Sequence, residues 1–275
     1  MAESQRINRD QKTGILYQAW DIVSARAVLL LVHGLGGHSG RWESLVQYFL
    51  QHNIASYALE LQGFGQTQGI KGHIDSFDTY FDDILSLARI IRKENPDRKI
   101  FLLGESFGGL LSFLLAHRAP ELFSGLVCIA PAFSIKIQVS LWDYIWVFFN
   151  LFKDPQKQFK INFIGEMCTR DPQYQEQIDT DFYEHRLVSA QFILNYFYAQ
   201  RTVRKIATKL SIPALFLIPL QDKLVSPQAS KIIFYRLWAQ DKEMIKYPEM
   251  FHALSVELGK EKVFVDILKW LEKRL

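Results

Sequence analysis

The sequence predicts an α/β fold in which a mostly parallel central sheet carries helices on both faces. Two observations lead to this fold class. Short apolar or β-branched runs, typical of strands buried on both faces, recur at 27–32, 54–59, 100–103, 125–130 and 213–218. Amphipathic stretches of helical length lie between several of these runs, at 42–51, 77–93, 108–117 and 228–239.

The alternation of strand and helix is interrupted between about 133 and 205. This stretch holds 16 of the 38 aromatic residues and lacks the strand-then-helix pattern. The pattern resumes at 212–216, continues through a strand at 243–247 and ends in an amphipathic helix over 260–275. Residues 1–132 and 206–275 are therefore predicted to form one core, and residues 133–205 a helical cap inserted into it.

Composition excludes several classes of protein. The 275 residues carry 32 basic and 29 acidic side chains without a long run of either sign, which offers no electrostatic basis for binding nucleic acid. Two cysteines are too few to staple a fold of this size. The N-terminus lacks an apolar signal segment, and no run of about 18 uncharged apolar residues is present. A cytoplasmic location is expected.

Gly104-Glu105-Ser106-Phe107-Gly108 follows the predicted strand at 100–103 and precedes a predicted helix. A G-x-S-x-G turn between a strand and a helix is typical of the nucleophile elbow of the α/β-hydrolase fold. The turn strains the serine backbone and needs small neighbours so that strand and helix approach closely. The pattern predicts Ser106 as a nucleophile, although a serine N-cap in an ordinary loop also fits the pentapeptide alone.

A serine hydroxyl needs a general base, which is itself oriented by a carboxylate. His252 lies after the predicted strand at 243–247, where this fold delivers its base. Asp222 follows the strand at 213–218 and matches the order Ser, Asp, His; Asp241 is the competing acid, at the entering end of a strand. Surface roles are expected for four other histidines, namely His38, His52, His117 and His185.

Two backbone N–H groups are expected to face the oxygen that becomes negative during attack. Phe107, directly after the nucleophile, is predicted to supply one of them, and Leu35 in the glycine-rich loop at 33–37 the other. The sequence shows no cluster with metal-ligand spacing and no G-x-G-x-x-G or Walker pattern. Neither a metal nor a cofactor is expected.

With these residues assigned, the chain resembles the monoacylglycerol lipase and lysophospholipase branch of the α/β-hydrolases. The resemblance extends over about 26–132 and 212–272, and it rests on the following pieces: His33 to Trp42, Gly63 to Gly69, Gly72 to Phe77, Gly104 to Gly109, and the Asp222 and His252 loops. It implies Ser106, Asp222 and His252 as nucleophile, acid and base, and Leu35 and Phe107 as oxyanion donors. Glu60 and Gln62 depart from the aspartate and histidine that the family often has around its G-x-G turn.

The resemblance implies hydrolysis of a single-chain lipid ester, a monoacylglycerol or a lysophospholipid, beneath the cap. A thioesterase, peptidase or acyltransferase with the same triad remains open, because the triad does not determine the acyl acceptor. A non-catalytic lipid-binding protein is a third reading. The aromatic segment at 141–152 fits a membrane surface, an apolar channel or a helix packed on the core, so peripheral membrane contact through the cap also stays open.

Overall fold

The computed structural model describes residues 7–136 and 141–275. The strands that the sequence predicted begin and end within about two residues of the predicted runs. The strands are β1 (Asn8–Arg9), β2 (Leu16–Trp20), β3 (Ala27–Val32), β4 (Ile54–Glu60), β5 (Lys99–Glu105), β6 (Gly125–Ile129), β7 (Gln158–Lys160), β8 (Leu187–Ser189), β9 (Ala214–Pro219) and β10 (Lys242–Tyr247). The apolar runs did not predict β1 and β2, because the side chains of these two strands are mostly half-buried or exposed and form no such run.

Eight strands form one sheet in the order β1-β2-β4-β3-β5-β6-β9-β10. β2 is antiparallel to both of its neighbours, and all other pairs are parallel. Val32 at the end of β3 is in register with Leu59 on one side and Gly104 on the other. The parallel strands therefore end at one common edge, where the predicted site loops emerge.

Helices cover both faces, as predicted. The α-helices of the described residues are α1 (Glu43–Leu50), α2 (Asp78–Glu94), α3 (Phe107–Arg118), α4 (Leu141–Lys153), α5 (Gly165–Cys168), α6 (Pro172–Thr180), α7 (Ala190–Ile206), α8 (Pro227–Arg236) and α9 (Lys260–Glu272).

Alternate residues of β3 divide the core into two apolar clusters, because successive strand side chains point to opposite faces. Val28, Leu30 and Val32 pack with residues of α2, α3 and α8. Ala27, Leu29 and Leu31 pack with residues of α1 and α9 on the other face. The buried strands thus read as apolar throughout, which is why the sequence revealed them.

The predicted cap is less purely helical than expected. It contains α4 to α7, but β7 and β8 also pair as a separate antiparallel sheet in which Phe159 faces Val188. Strands of three residues are too short to show a periodic pattern. Residues 137–140 of the predicted cap lie outside the described residues, and its boundaries stay a prediction. In the part of the chain that the structure describes, no helix is both long and apolar enough to cross a membrane.

Candidate active site

Ser106 occupies a sharp turn between β5 and α3. Its backbone has φ +56° and ψ −117°, a conformation that costs free energy for any residue other than glycine. The flanking glycines are required by space. A Cβ atom on Gly108 would lie 2.0 Å from the carbonyl oxygen of Val32, and one on Gly104 would lie 2.3 Å from the carbonyl oxygen of Gly108. The local structure is thus the predicted elbow.

Ser106, His252 and Asp222 come together as a continuous chain of hydrogen bonds. His252 Nε2 lies 2.7 Å from Ser106 Oγ, and His252 Nδ1 lies 2.7 Å from Asp222 Oδ2. The other carboxylate oxygen of Asp222 accepts the N–H groups of Leu224 and Val225, at 2.8 and 2.9 Å. Asp222 is consequently held from both sides, with one oxygen left to orient the imidazole.

Opposing effects determine the pKa of His252. Burial of the ring, the largest effect, lowers the pKa, whereas the charge of Asp222, its hydrogen bond and the charge of Glu105 together raise it above the ordinary value. The carboxylates outweigh burial. They therefore favour the imidazolium, which is the form a general base adopts after it has taken a proton.

The competing acid, Asp241, lies at the opposite end of β10 and pairs with Arg274, whose Nε donates to Asp241 Oδ2 at 2.9 Å.

The surface role expected for His38 is wrong in part. Its ring is mostly buried, and Nε2 lies 2.9 Å from Asp181 Oδ2. Asp181 belongs to the predicted cap, residues 133–205, which we call the insertion. Sequence patterns did not reveal this contact because 143 residues separate the two side chains.

The glycine-rich loop at 33–37 lies directly against the nucleophile. A Cβ atom on Gly34 would be 3.3 Å from the Cβ of Ser106, so the glycine allows this approach. Leu35 and Phe107 both line the cavity in front of Ser106. Within residues 7–136 and 141–275, neither backbone N–H has a hydrogen-bond acceptor. Both predicted donors thus lie beside Ser106 with their N–H groups unengaged.

His33, which opens that loop, has a structural role. Its Nδ1–H donates to the carbonyl of Gly34 at 2.8 Å, and its Nε2 accepts the N–H of Leu61 at 3.1 Å. Burial lowers the pKa of His33 to about 4, so the ring is neutral at physiological pH. It joins the end of β3 to the loop that follows β4.

The two departures from the family pattern both make hydrogen bonds away from Ser106. Glu60 is buried and accepts the N–H of Ser39 and the N–H of Gln66, each at 2.7 Å. Gln62 donates from Nε2 to Asp83 at 3.0 Å. Glu60 therefore links two loops on the same side of the sheet, and neither residue contacts the Ser-His-Asp chain.

A cavity of about 480 Å³ opens onto Ser106 and His252. Its wall is predominantly apolar, and both the core and the insertion contribute to it. Representative lining residues are Val147, Phe159, Phe163, Phe192, Tyr196 and Leu224. This size and composition are typical of a site for a small, largely apolar ligand.

One stretch of the cavity wall carries a buried ion pair that the sequence did not predict. Arg41 Nε donates to Glu184 Oε1 at 2.7 Å, and both side chains are largely buried. Burial, the largest effect, raises the pKa of Glu184, while the charge and hydrogen bond of Arg41 lower it in part. Arg41 lies within 33–42, a segment on which the family resemblance rests, but its partner comes from the insertion. The pair joins the two parts of the chain.

Glu105, the second residue of the elbow, is half-buried. Both of its oxygens accept hydrogen bonds from Ser255, one from the backbone N–H at 3.1 Å and one from Oγ at 2.7 Å. The carboxylate thus ties the elbow to the segment that follows His252.

In the described ranges, no group of three or more histidine, cysteine or acidic side chains is arranged to hold a metal ion.

Comparison with known proteins agrees with this geometry. The family described as serine aminopeptidase, S33 (Hydrolase_4) matches residues 23–259. A monoglyceride lipase from Rattus norvegicus is 24% identical over 267 residues, which cover 91% of this chain and 84% of that protein.

Two solved structures are similar over nearly the whole chain. The monoacylglycerol lipase of Paleococcus ferrophilus has a TM-score of 0.86 at 23% identity and covers 95% of this chain and 99% of its own. A soluble variant of the Saccharomyces cerevisiae monoglyceride lipase, in complex with a substrate analog, has a TM-score of 0.85 at 19% identity, with coverages of 98% and 95%. The predicted α/β-hydrolase fold and the resemblance to the monoacylglycerol lipase branch are confirmed.

Proposed function

This chain is a serine hydrolase that belongs to the Hydrolase_4 family, and we propose that it hydrolyses an ester of a lipid with a single acyl chain. The observation that carries the proposal is the hydrogen-bonded chain from Asp222 through His252 to Ser106, which ends at a predominantly apolar cavity. A nucleophile at an apolar cavity suits an acyl chain better than a charged or peptide substrate.

In the proposed reaction, Ser106 Oγ attacks the ester carbonyl carbon while His252 Nε2 takes the hydroxyl proton. The N–H groups of Leu35 and Phe107 stabilise the oxyanion. His252 then protonates the leaving alcohol, and an acyl-enzyme remains on Ser106. Water repeats the sequence with the same base, which releases the fatty acid. Asp222 holds the imidazole in the tautomer with Nδ1 protonated and stabilises its charged form.

The proposed lipid substrate matches the cavity wall, which is mostly apolar but carries a polar group at Arg41. Apolar side chains from the insertion, including Phe159, Phe163 and Phe192, would surround the acyl chain. Arg41 supplies a polar point on the same wall, and its Nη2 is buried without a hydrogen-bond partner among the described residues. An oxygen-rich head group, glycerol or glycerophosphate, would supply an acceptor there.

We also propose that the insertion contacts a lipid surface through α4. Val147 of α4 lines the cavity, whereas its neighbours Trp146 and Phe149 are 60% and 54% exposed. Trp142 and Phe152, at the two ends of the helix, are exposed by 76% and 80%. An aromatic face of this kind buries its apolar area in the interfacial region of a bilayer, next to the substrate cavity.

The test of the reaction is a Ser106→Ala variant assayed with monoacylglycerols and lysophospholipids of matched chain length. We expect hydrolysis to fall by several orders of magnitude and labelling by a fluorophosphonate probe to be abolished. Ser112→Ala is the matched control, because this buried serine lies on α3, the helix that follows Ser106, and its hydroxyl has no partner among the described residues. Wild-type activity in the Ser106→Ala protein would refute the assignment.

The acyl acceptor and substrate class need a separate panel. Acyl-thioester and aminoacyl substrates assayed beside the lipid esters test the thioesterase and peptidase readings, and an added alcohol tests acyl transfer. We expect the highest kcat/KM for one of the single-chain lipid esters. Faster turnover of a thioester or a peptide bond would refute the proposed substrate class. It would leave the proposed acyl-enzyme mechanism unchanged.

A further inference from the structure

Glu257 is a fully buried carboxylate outside the Ser-His-Asp chain, five residues after His252. One of its oxygens, Oε2, accepts the N–H of Phe251 at 2.8 Å. The other, Oε1, accepts the N–H of Leu258 at 2.7 Å. The carboxylate therefore closes the loop that carries His252. One of its two hydrogen bonds comes from Phe251, the residue directly before the histidine.

The same carboxylate reaches the insertion. Oε1 also accepts the backbone N–H of Arg170 at 3.0 Å and its Nε–H at 3.2 Å. Further hydrogen bonds run alongside. Among them, Thr169 Oγ1 donates to the carbonyl of Val256 at 3.1 Å, and the N–H of Ala253 donates to the carbonyl of Cys168 at 2.8 Å. Residues 168–170, which we call the strap, thus hold this loop from outside.

These bonds hold both neighbours of His252. Phe251 is held through Glu257, and Ala253 is held directly by the strap. The imidazole must keep two contacts of 2.7 Å at once, with Ser106 and with Asp222, and a small displacement of its backbone lengthens both. Burial makes the arrangement stiff, because a donor that loses its acceptor inside the protein finds no water to replace it.

We propose that Glu257 is a positioning residue that fixes the His252 loop on the strap and so keeps the imidazole aligned with Ser106 and Asp222. The inference rests on the proposed function, since it assigns His252 the role of base. It also adds a role for the insertion, whose strap supports the base while other parts of it line the acyl cavity.

The test is Glu257→Gln, which preserves the shape of the side chain but turns one acceptor into an N–H donor that faces other donors. We expect kcat/KM for a p-nitrophenyl ester to fall on the order of 10- to 100-fold, mainly through kcat. Glu261→Gln, an exposed acid four residues further on, is the matched control and should behave as wild type.

The pH profile separates positioning from general loss of stability. The charged groups that act on His252 are Asp222 and Glu105, and both raise its pKa, while Arg170 is the cation that faces Glu257. Loosening the loop weakens the contact with Asp222, so the acidic limb of kcat/KM should move to lower pH. A loss that only follows the folded fraction, measured by circular dichroism, with the limb at its wild-type position would overturn the inference.

If Glu257→Gln does not fold, Arg170→Met decides, because it removes the Nε donor and keeps the bond between Glu257 and Phe251. A several-fold loss of kcat/KM with the limb displaced in the same direction is expected, and an unmoved limb overturns the inference. Wild-type protein that neither hydrolyses any ester nor reacts with a fluorophosphonate would refute the proposed function itself. Active wild type with an equally active Glu257→Gln variant would refute only the role of Glu257.

Discussion

Asp222 and His252 share a hydrogen bond of 2.7 Å in which both side chains are almost completely buried. In that setting burial lowers the pKa of the histidine, and the neighbouring carboxylates are what raise it again. The pair therefore determines both the orientation of the imidazole and the pH range in which it is neutral and able to accept a proton.

Replacing this acid gives the first prediction. In Asp222→Asn the carboxylate charge that raises the pKa of His252 is gone and burial remains, so the acidic limb of kcat/KM should move to lower pH. Activity should fall by about 10⁴-fold, because the amide no longer favours the required tautomer. Asp241→Asn, the other candidate acid from the sequence, should leave both the rate and the limb unchanged. Steady-state kinetics over pH 5–9 measures both effects.

The ion pair between Arg41 and Glu184 leads to the second prediction. Arg41→Met leaves Glu184 buried without its cation, which should cost about 3 to 5 kcal/mol of unfolding free energy at pH 8. Burial already raises the pKa of Glu184, and loss of Arg41 raises it further. Its protonated form is thus favoured in the folded state, and the deficit relative to wild type should grow as pH rises from 5 to 8.

Two further variants serve as controls for this pair. Adding Glu184→Gln to Arg41→Met should recover most of the lost stability, because the buried charge is then removed. Arg118→Met breaks the exposed pair with Asp78 and should cost less than about 1 kcal/mol. Denaturant unfolding at both pH values provides the free energies. Equal losses for the buried and the exposed pair would contradict the prediction.

A buried carboxylate on α2 produces the third prediction. Burial raises the pKa of Asp83 to about 6, with the charge of Asp82 adding to the effect and the hydrogen bond from Gln62 opposing it. Because this folded pKa exceeds the unfolded one, Asp83 favours the folded state most strongly below about pH 4, and that contribution is lost as pH rises through 6.

Asp83→Asn removes this pH dependence. At pH 7.5 the variant should be more stable than wild type by about 1 to 2 kcal/mol, a discounted value because water reaches part of the carboxylate. At pH 4 the two proteins should unfold at nearly the same denaturant concentration. Asp82→Asn, at the exposed neighbouring position, should change stability by less than about 0.5 kcal/mol. A variant no more stable than wild type at pH 7.5 would show that the folded protein tolerates the charge.

The fourth prediction concerns the exposed aromatic side chains of α4. Trp146→Ser combined with Phe149→Ser should reduce sedimentation with phosphatidylcholine vesicles by about tenfold or more, because each ring buries apolar area at the bilayer surface. The matched control is Tyr235→Ser with Trp238→Ser, a pair 68% and 66% exposed at α8 and just beyond it. Equal losses in the two double variants would indicate non-specific adsorption rather than docking through α4.

Local sequence patterns predicted the core with small errors. β3 begins and ends at the predicted residues. A strand buried on both faces is apolar throughout, and such a run can be recognised without knowing the partner strands. The elbow was equally visible, because the strain at Ser106 and the close approach at Gly108 impose glycines next to it in the chain. β2 was missed because its partly exposed side chains leave no comparable pattern.

The sequence by itself determined the fold class, the elbow and the order of the Ser, Asp and His loops, because each depends on residues that are neighbours in the chain. Only the tertiary structure decided which side chains meet across long separations. Arg41 and Glu184 are 143 residues apart, and Glu257 meets the strap 87 residues away. Such pairs form when the insertion folds back over the edge at which the parallel strands end. No local sequence pattern encodes where the insertion comes to lie.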